Sequence, residues 1–180
     1  MDGKVIYFKD KGKAVCETCA VPEPKPGEVL IENEYTVISA GTERANLIAL
    51  PNTGTGPGGY DGKHDGSFPF YPGYCGVGRI VKLGDGVEGF ATGDRVIVTW
   101  AGHRSHSVTP AAGLVRVDDD SIDSLDASFA HIASFAFLGV RKLRIELGES
   151  AMIAGQGLLG VFALQRSEER RVGKECRSRW

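Results

Sequence analysis

Three glycines in the last third of the chain have the residue type and spacing of a phosphate-binding loop. The segment GQGLLG, residues 155–160, matches the pattern G-x-G-x-x-G. In such a loop Gly155 allows a tight turn, Gly157 lets the backbone approach a pyrophosphate, and Gly160 lets a helix pack closely on a strand. N–H groups at the start of the following helix would bind the phosphates. The alternative is a glycine-rich turn without a ligand, because 25 of the 180 residues are glycine.

The elements around this loop decide whether the motif has the context it needs. Residues 150–155 (SAMIAG) predict a short buried strand, and residues 158–165 (LLGVFALQ) predict the first turns of a helix. Further upstream, apolar residues at helical spacing predict one amphipathic helix over residues 127–144, capped by Asp123 or Ser124. A strand, a glycine turn and a helix form the order in which this motif binds a dinucleotide.

The first 117 residues have a different pattern, in which short β-rich runs alternate with glycine and proline. Alternation between apolar and polar residues is clearest from Val29 to Val37. The spacing predicts a barrel or a sandwich, and the glycine-rich residues 51–66 predict a long mobile loop. The fold expected is thus mainly β, followed by the start of an α/β domain, or α+β overall. The predicted strands are residues 4–8, 28–39, 76–83, 95–100 and 113–117.

Composition excludes several classes of partner. The formal net charge is −2, so there is no basic surface for nucleic acid or anionic lipid. No apolar run approaches the roughly 18 residues that a membrane span needs, and the first residues lack the apolar core of a signal peptide. Four cysteines do not make a disulfide scaffold. We expect a cytoplasmic protein that acts on a small molecule, with no nucleic acid or membrane partner; a homo-oligomer is compatible with the sequence.

The segment VKLGDGVEGFATGDRVIV, residues 81–98, resembles a characteristic segment of the medium-chain dehydrogenase/reductase superfamily, the relatives of alcohol dehydrogenase. The resemblance covers about residues 1–165. It implies a GroES-like β-barrel catalytic domain over residues 1–122 and the beginning of a Rossmann domain over residues 123–165. It also implies that the substrate meets an NAD or NADP cofactor in the cleft between the two domains. Further matching segments, in the family's order, are PKPGEVLIE (24–32), SAGTERANL (39–47), LVRV (114–117) and GQGLLG.

The resemblance does not extend to the zinc ligands of the family. Zinc-dependent members have a cysteine where this chain has Ala40, and a Gly-His-Glu sequence where it has Gly-Tyr-Cys at residues 73–75. His131 resembles the position of a later ligand. The four closely spaced cysteines of the family's structural zinc site are missing after residue 98. Because a catalytic zinc needs about three converging protein donors, we predict no metal ligands and no bound zinc.

Other potential ligands remain open to two interpretations. The CETC sequence at residues 16–19 could be half of a zinc site or a redox pair. Side chains three apart on a strand point to opposite faces, which favours a structural role. His64, His103, His106 and His131 could form a new metal cluster with Cys75, but no spacing brings them together. Solvent-exposed or hydrogen-bonded histidines are more common than ligands.

Without zinc, the resemblance implies a reductase of the quinone or enoyl type, which holds its acceptor by hydrogen bonds while a nicotinamide supplies the hydride. Thr42 matches a hydroxyl that relays a proton in zinc-dependent members. We expect Thr42 to position the substrate oxygen and Tyr74 to donate a second hydrogen bond. Thr42 could instead cap a turn at the end of a strand. The alternative for the whole chain is a non-catalytic GroES-like binding or interaction module.

The last fifteen residues, 166–180, differ in composition from the rest of the chain. They contain six Lys or Arg and three Asp or Glu, but only Val172, Cys176 and Trp180 as apolar side chains. Such a segment cannot bury a face, and it predicts a disordered, non-native tail. Since half of a Rossmann domain needs roughly 30 residues or more, we expect a truncated enzyme that binds a nicotinamide cofactor weakly or not at all.

Overall fold

The computed structural model describes residues 1–51, 67–146 and 149–168. The chain forms two compact units, residues 1–130 and residues 131 onward. The loop predicted at residues 51–66 lies outside the described residues except for Pro51, and His64 lies outside with it. Residues 169–180, most of the predicted tail, are also outside them.

Antiparallel strands dominate the first unit, which confirms the mainly β prediction. A three-stranded sheet has the order β2-β1-β6, and a five-stranded sheet has the order β7-β3-β4-β5-β8. Each of the five predicted β-rich runs contains a strand. The elements of this unit are β1 (Asp2–Asp10), β2 (Lys13–Ala20), β3 (Glu28–Thr36), α1 (Ala40–Leu47), β4 (Cys75–Leu83), β5 (Arg95–Thr99), β6 (His103–Arg104), β7 (His106–Pro110), β8 (Val115–Arg116) and α2 (Ser124–Ser128).

The core of the first unit is aliphatic and lies on β3, β4 and β5. Ile31 is paired with Ile80 across β3 and β4, and both are fully buried. Leu30 is also buried, so β3 is covered on both faces where the alternating pattern predicts one. Each such side chain contributes about 1.5–3 kcal/mol relative to an exposed one. The central cluster consists of Val29, Ile31, Ile80, Val96 and Val98.

The segment that carries the family resemblance contains the connection between β4 and β5, and Asp94 holds the end of this connection. One carboxylate oxygen of Asp94 accepts a hydrogen bond from the Ala91 backbone N–H at 2.8 Å and pairs with Arg116 at 2.8 Å. The Arg116 guanidinium also lies over the Phe90 ring, 5.1 Å from its centroid. The aspartate of the GDRV sequence therefore ties the start of β5 to β8.

The helix predicted over residues 127–144 is wrong in its extent, because the structure has two helices, α2 and α3 (Ala130–Leu143), with Phe129 between them. Asp123 caps α2, and its side chain accepts a hydrogen bond from the Asp126 N–H at 2.7 Å. Ala127 of α2 packs with Val77 and Ile97 of the sheet. Because α2 packs on strands, it belongs to the first unit, which ends later than residue 122.

The second unit contains α3 and α4 (Leu158–Glu168). Ile132, Ala136 and Val140 are buried along one face of α3, as the helical spacing predicts. The strand predicted at residues 150–155 is wrong: no strand is assigned there, and Met152 is 90% exposed. An isolated strand has no neighbour to satisfy its backbone N–H and C=O groups, and the described part of this unit contains only helices and irregular segments.

Candidate functional site

Thr42 lies in the first turn of α1, a helix that the sequence analysis does not predict. Its side chain is half-buried. Ser39 occupies the N-cap position but makes no side-chain cap; its backbone N–H instead donates to Oε1 of Glu43 at 3.3 Å. The interpretation of Thr42 as a turn cap at the end of a strand is therefore wrong, because the chain has already entered a helix.

A buried acid–imidazole pair includes Glu43, the residue after Thr42 in α1. Nε2 of His103 is 3.0 and 2.9 Å from the two carboxylate oxygens of Glu43, and both side chains are nearly inaccessible to solvent. Nδ1 of the same ring is 2.9 Å from Oγ1 of Thr36 at the end of β3. With the proton on Nε2, the neutral ring donates to Glu43 and accepts from the Thr36 hydroxyl. The partners are sixty residues apart, so no local spacing could have indicated the pair.

Tyr74 lies just before β4, beside Trp100, which follows β5. The Trp100 N–H donates to the Tyr74 carbonyl at 3.3 Å, and the two ring centroids are 5.5 Å apart. Trp100 has a φ of 59° and is 73% exposed. A bulky residue in the left-handed region is strained, and such strain is concentrated at functional sites. The sequence pattern does not indicate Trp100 as a site residue because it predicts a strand through residue 100, whereas β5 ends at Thr99.

His103 connects the two candidate catalytic residues. Its ring binds Glu43, the residue after Thr42, while its backbone N–H donates to the Pro72 carbonyl at 3.0 Å. Gly102 continues this pairing with an N–H donated to the Gly73 carbonyl at 3.0 Å. His103 thus forms hydrogen bonds both to the helix that carries Thr42 and to the segment that leads to Tyr74.

The side chains in the described part of the chain do not fit a three-donor zinc site. In residues 1–51, 67–146 and 149–168 there is no group of three or more His, Cys, Asp or Glu side chains able to hold a metal ion. His103 is engaged by Glu43, and Nδ1 of His106 is 3.0 Å from the Ser105 hydroxyl. Within these ranges, the cluster hypothesised for His103, His106, His131 and Cys75 does not form, and Ala40 offers no donor atom. The remaining member of that hypothesis, His64, lies outside the described residues.

Three further sequence candidates for metal binding, Cys16, Cys19 and His131, lie on a strand and a helix. Cys16 and Cys19 both lie on β2, as expected, so their side chains point to opposite faces of the sheet. His131 makes an edge contact with the Phe135 ring at 5.0 Å between centroids. Burial lowers the pKa of the His131 imidazole below its ordinary value, which favours the neutral form.

The glycine loop precedes α4, as the sequence predicts. Gly155 has a φ of 98°, a conformation that side chains other than glycine rarely adopt. A Cβ atom at Gly160 would clash with the Gly155 carbonyl oxygen, so this glycine allows the helix to approach the turn. At Gly157 an added Cβ would meet no described atom within 4 Å. The described atoms thus leave open space beside Gly157, just before the start of α4.

Residues 25–121 match the protein family described as the alcohol dehydrogenase GroES-like domain. An alcohol dehydrogenase of Rhizobium meliloti is 32% identical over 165 residues, which cover 87% of this chain and 44% of the relative. The solved quinone oxidoreductase of Coxiella burnetii superposes with a TM-score of 0.77 at 18% identity, over 94% of this chain and 54% of the other. A Helicobacter pylori structure titled CAD, complexed with NADP(H), gives 0.76 at 16% identity, over 93% and 56%.

The chain spans about half the length of the curated relatives it matches, and the solved structures share its fold at low identity. Among the helices of the described ranges, none has the length and apolar character of a transmembrane segment.

Proposed function

This chain belongs to the alcohol dehydrogenase GroES-like domain family, within the medium-chain dehydrogenase/reductase superfamily, and we propose that it acts as an oxidoreductase that uses NAD or NADP. The reaction is hydride transfer to or from an alcohol, a carbonyl or an enone, in the cytoplasm. The observation that carries the proposal is the family match over the same residues that hold Thr42 and Tyr74. Because the chain spans about half the length of its relatives, the activity is proposed for the whole protein.

In this proposal, residues 1–130 form the catalytic domain and residues 131–165 begin the cofactor-binding domain. Gly155, Gly157 and Gly160 seat the pyrophosphate against the N-terminus of α4, whose unpaired N–H groups favour negative charge. The left-handed turn at Gly155 and the close approach at Gly160 support this assignment. When bound, the nicotinamide supplies the hydride chemistry, and the protein supplies binding and orientation.

Two hydroxyl groups bind the reacting oxygen of the substrate. The Thr42 and Tyr74 hydroxyls donate hydrogen bonds to a carbonyl oxygen, which stabilise the negative charge that develops there during reduction. In the reverse direction the oxygen of the Thr42 hydroxyl accepts a hydrogen bond from the hydroxyl of an alcohol. Trp100, exposed beside Tyr74, offers an apolar face for the carbon skeleton of the substrate.

We propose that this site works without zinc. At the positions where the family has its ligands, Ala40 has no donor atom and Tyr74 carries a phenol, which is not among the usual zinc ligands. Glu43, which follows Thr42 in the sequence, and His103 bind each other. The polarising role therefore falls to neutral hydrogen-bond donors.

Steady-state assays test the proposal on the whole protein, with NADH or NADPH for the acceptors benzoquinone and cyclohexenone, and with NAD+ or NADP+ for the alcohol butanol. We expect turnover that survives a zinc chelator and falls about a hundredfold in Thr42→Ala and Tyr74→Phe, as when a preorganised donor is removed. Thr18→Ala, on the exposed strand β2, is the matched control. Activity that needs added zinc would contradict the zinc-free part, and unchanged turnover in both variants would contradict the assigned roles.

For the 180-residue chain by itself we expect weak cofactor binding. Its described part offers a nicotinamide dinucleotide only the glycine loop and α4, so we expect a Kd for NADH and NADPH weaker than about 1 mM. Isothermal titration calorimetry measures this directly. Tighter binding would mean that these elements suffice.

A second function is a non-catalytic binding module, and it is favoured by the self-contained core of the first unit. Light scattering and the turnover assays separate the two functions. A homogeneous monomer or homo-oligomer of the whole protein that binds a defined partner without turnover favours the module. Turnover favours the enzyme.

A further inference from the structure

The pair of Glu43 and His103 has no role in the proposed reaction, yet it connects the residues that do. We infer that Glu43 and His103 are positioning residues, which hold the Thr42 hydroxyl at a fixed distance from Tyr74. The inference rests on the proposed function, since it concerns the geometry of the same site.

Because this pair is buried, it is not the arrangement expected if its only role were to stabilise the fold. The side chains of His103 and Glu43 are 3% and 7% exposed. Desolvation of an acid and an imidazole opposes their attraction, and well-packed apolar residues often stabilise such a position as well or better. A buried polar pair does provide direction, because its hydrogen bonds are satisfied in only one arrangement.

The contacts of Glu43 define that arrangement for α1. One carboxylate oxygen accepts from the Ser39 N–H at 3.3 Å, and both oxygens lie within 3.0 Å of Nε2 of His103. A rotation of α1 about its axis would move Thr42 and Glu43 together and would break these bonds. The pair therefore fixes the rotation of the helix that presents the Thr42 hydroxyl.

His103 also contacts the segment that leads to Tyr74, the second proposed catalytic residue. Its Nδ1 contacts Thr36, and its backbone N–H binds the Pro72 carbonyl, two residues before Tyr74. The Tyr74 carbonyl in turn accepts a hydrogen bond from the Trp100 N–H, and the Tyr74 ring lies against the Trp100 ring. A displacement of His103 is thus expected to change the surroundings of Trp100, which makes this tryptophan a reporter.

Fluorine NMR of the 180-residue chain tests this without any turnover. The chain has two tryptophans, so Trp180→Phe leaves fluorotryptophan at Trp100 alone. We expect Glu43→Ala and His103→Ala to shift or broaden the Trp100 resonance, and Glu43→Gln to restore it, because an amide oxygen still accepts from His103. Glu23→Ala, which breaks the exposed Glu23–Lys82 ion pair, is the control and should leave the resonance unchanged.

Kinetics of the whole protein provide the second readout. We expect Glu43→Ala to lower kcat about tenfold or more while KM changes little, as for a misplaced catalytic group, and Glu43→Gln to recover most of kcat. If wild-type protein shows no turnover with any probe, the proposed function fails while the fluorine measurement still decides the positioning. If Glu43→Ala does not fold, Thr36→Val removes only the Nδ1 contact and should still shift the resonance.

The inference is overturned if the folded Glu43→Ala and His103→Ala chains keep the wild-type Trp100 resonance. It is also overturned if Glu43→Gln perturbs the resonance and kcat as strongly as Glu43→Ala, because the hydrogen bond would then not be the cause. An unchanged resonance in Thr36→Val, with Glu43→Ala unfolded, overturns it as well.

Discussion

The two units of this chain differ in how much of their apolar surface they bury. In the first unit, β3, β4 and β5 enclose a cluster of valines and isoleucines that solvent does not reach. In the second unit, α3 buries only one narrow face. Larger apolar side chains on its other faces, and in the residues that follow it, are exposed. The exposed side chains are Phe135, Phe137, Leu138, Leu143, Met152, Leu159 and Val161.

This difference indicates which unit supplies most of the stability of the chain and how the candidate functional residues of each unit are held. The first unit combines a closed core with a site made by long-range contacts, such as that between Glu43 and His103. The second unit carries a local motif, the glycine loop, on helices with few buried residues. We therefore expect substitutions in the first unit to act on global stability and those in the second to act locally.

The largest expected contrast is between two substitutions that each shorten a large aliphatic side chain to alanine. Ile80→Ala, in the core of the first unit, should lower the free energy of unfolding by about 2–5 kcal/mol through lost burial and a residual cavity. Leu138→Ala, on an exposed face of α3, should change it by less than about 0.5 kcal/mol. Urea denaturation followed by far-ultraviolet circular dichroism measures both. Similar losses for the two variants would show that the units are equally well packed.

A pair of glycine substitutions sharpens the comparison within the second unit. Gly160→Ala places a methyl group against the Gly155 carbonyl and should destabilise the start of α4 by about 1–3 kcal/mol, as overpacking does. Hydrogen exchange of the α4 amides reports this locally. Gly157→Ala, where the methyl group meets open space, is the control and should leave exchange nearly unchanged. Equal protection in both variants would contradict the close approach at Gly160.

The smallest expected effect is a pH dependence from His131. Burial lowers the pKa of its imidazole in the folded state, so the unfolded state binds more protons at mildly acidic pH. This residue's contribution to stability is complete above its ordinary pKa of 6.5 and is lost as the pH falls through the lower folded value. The loss in unfolding free energy between neutral and mildly acidic pH should be smaller in His131→Gln. An identical pH dependence would show that His131 is not desolvated.

Much of the first unit could be predicted because its strands are encoded locally. β-branched runs between glycine and proline indicate β1, β3, β4, β5 and β8, and the segment at residues 81–98 indicates the family. The helix α1 was missed because AGTERANL has no apolar stripe; its buried residues are Glu43 and Asn46. The break at Phe129 was missed because apolar spacing continues across it, while α2 packs on the sheet.

The sequence by itself determined the β-rich class, the family, the positions of the central strands and the glycine turn before α4, because each depends on residues close together in the chain. Only the tertiary structure decided that Thr42 lies on a helix, that Glu43 and His103 meet, and that Trp100 lies beside Tyr74. It also decided that residues 150–155 do not form a strand. Contacts between residues sixty positions apart depend on how the sheets pack, and no local pattern of side chains encodes them.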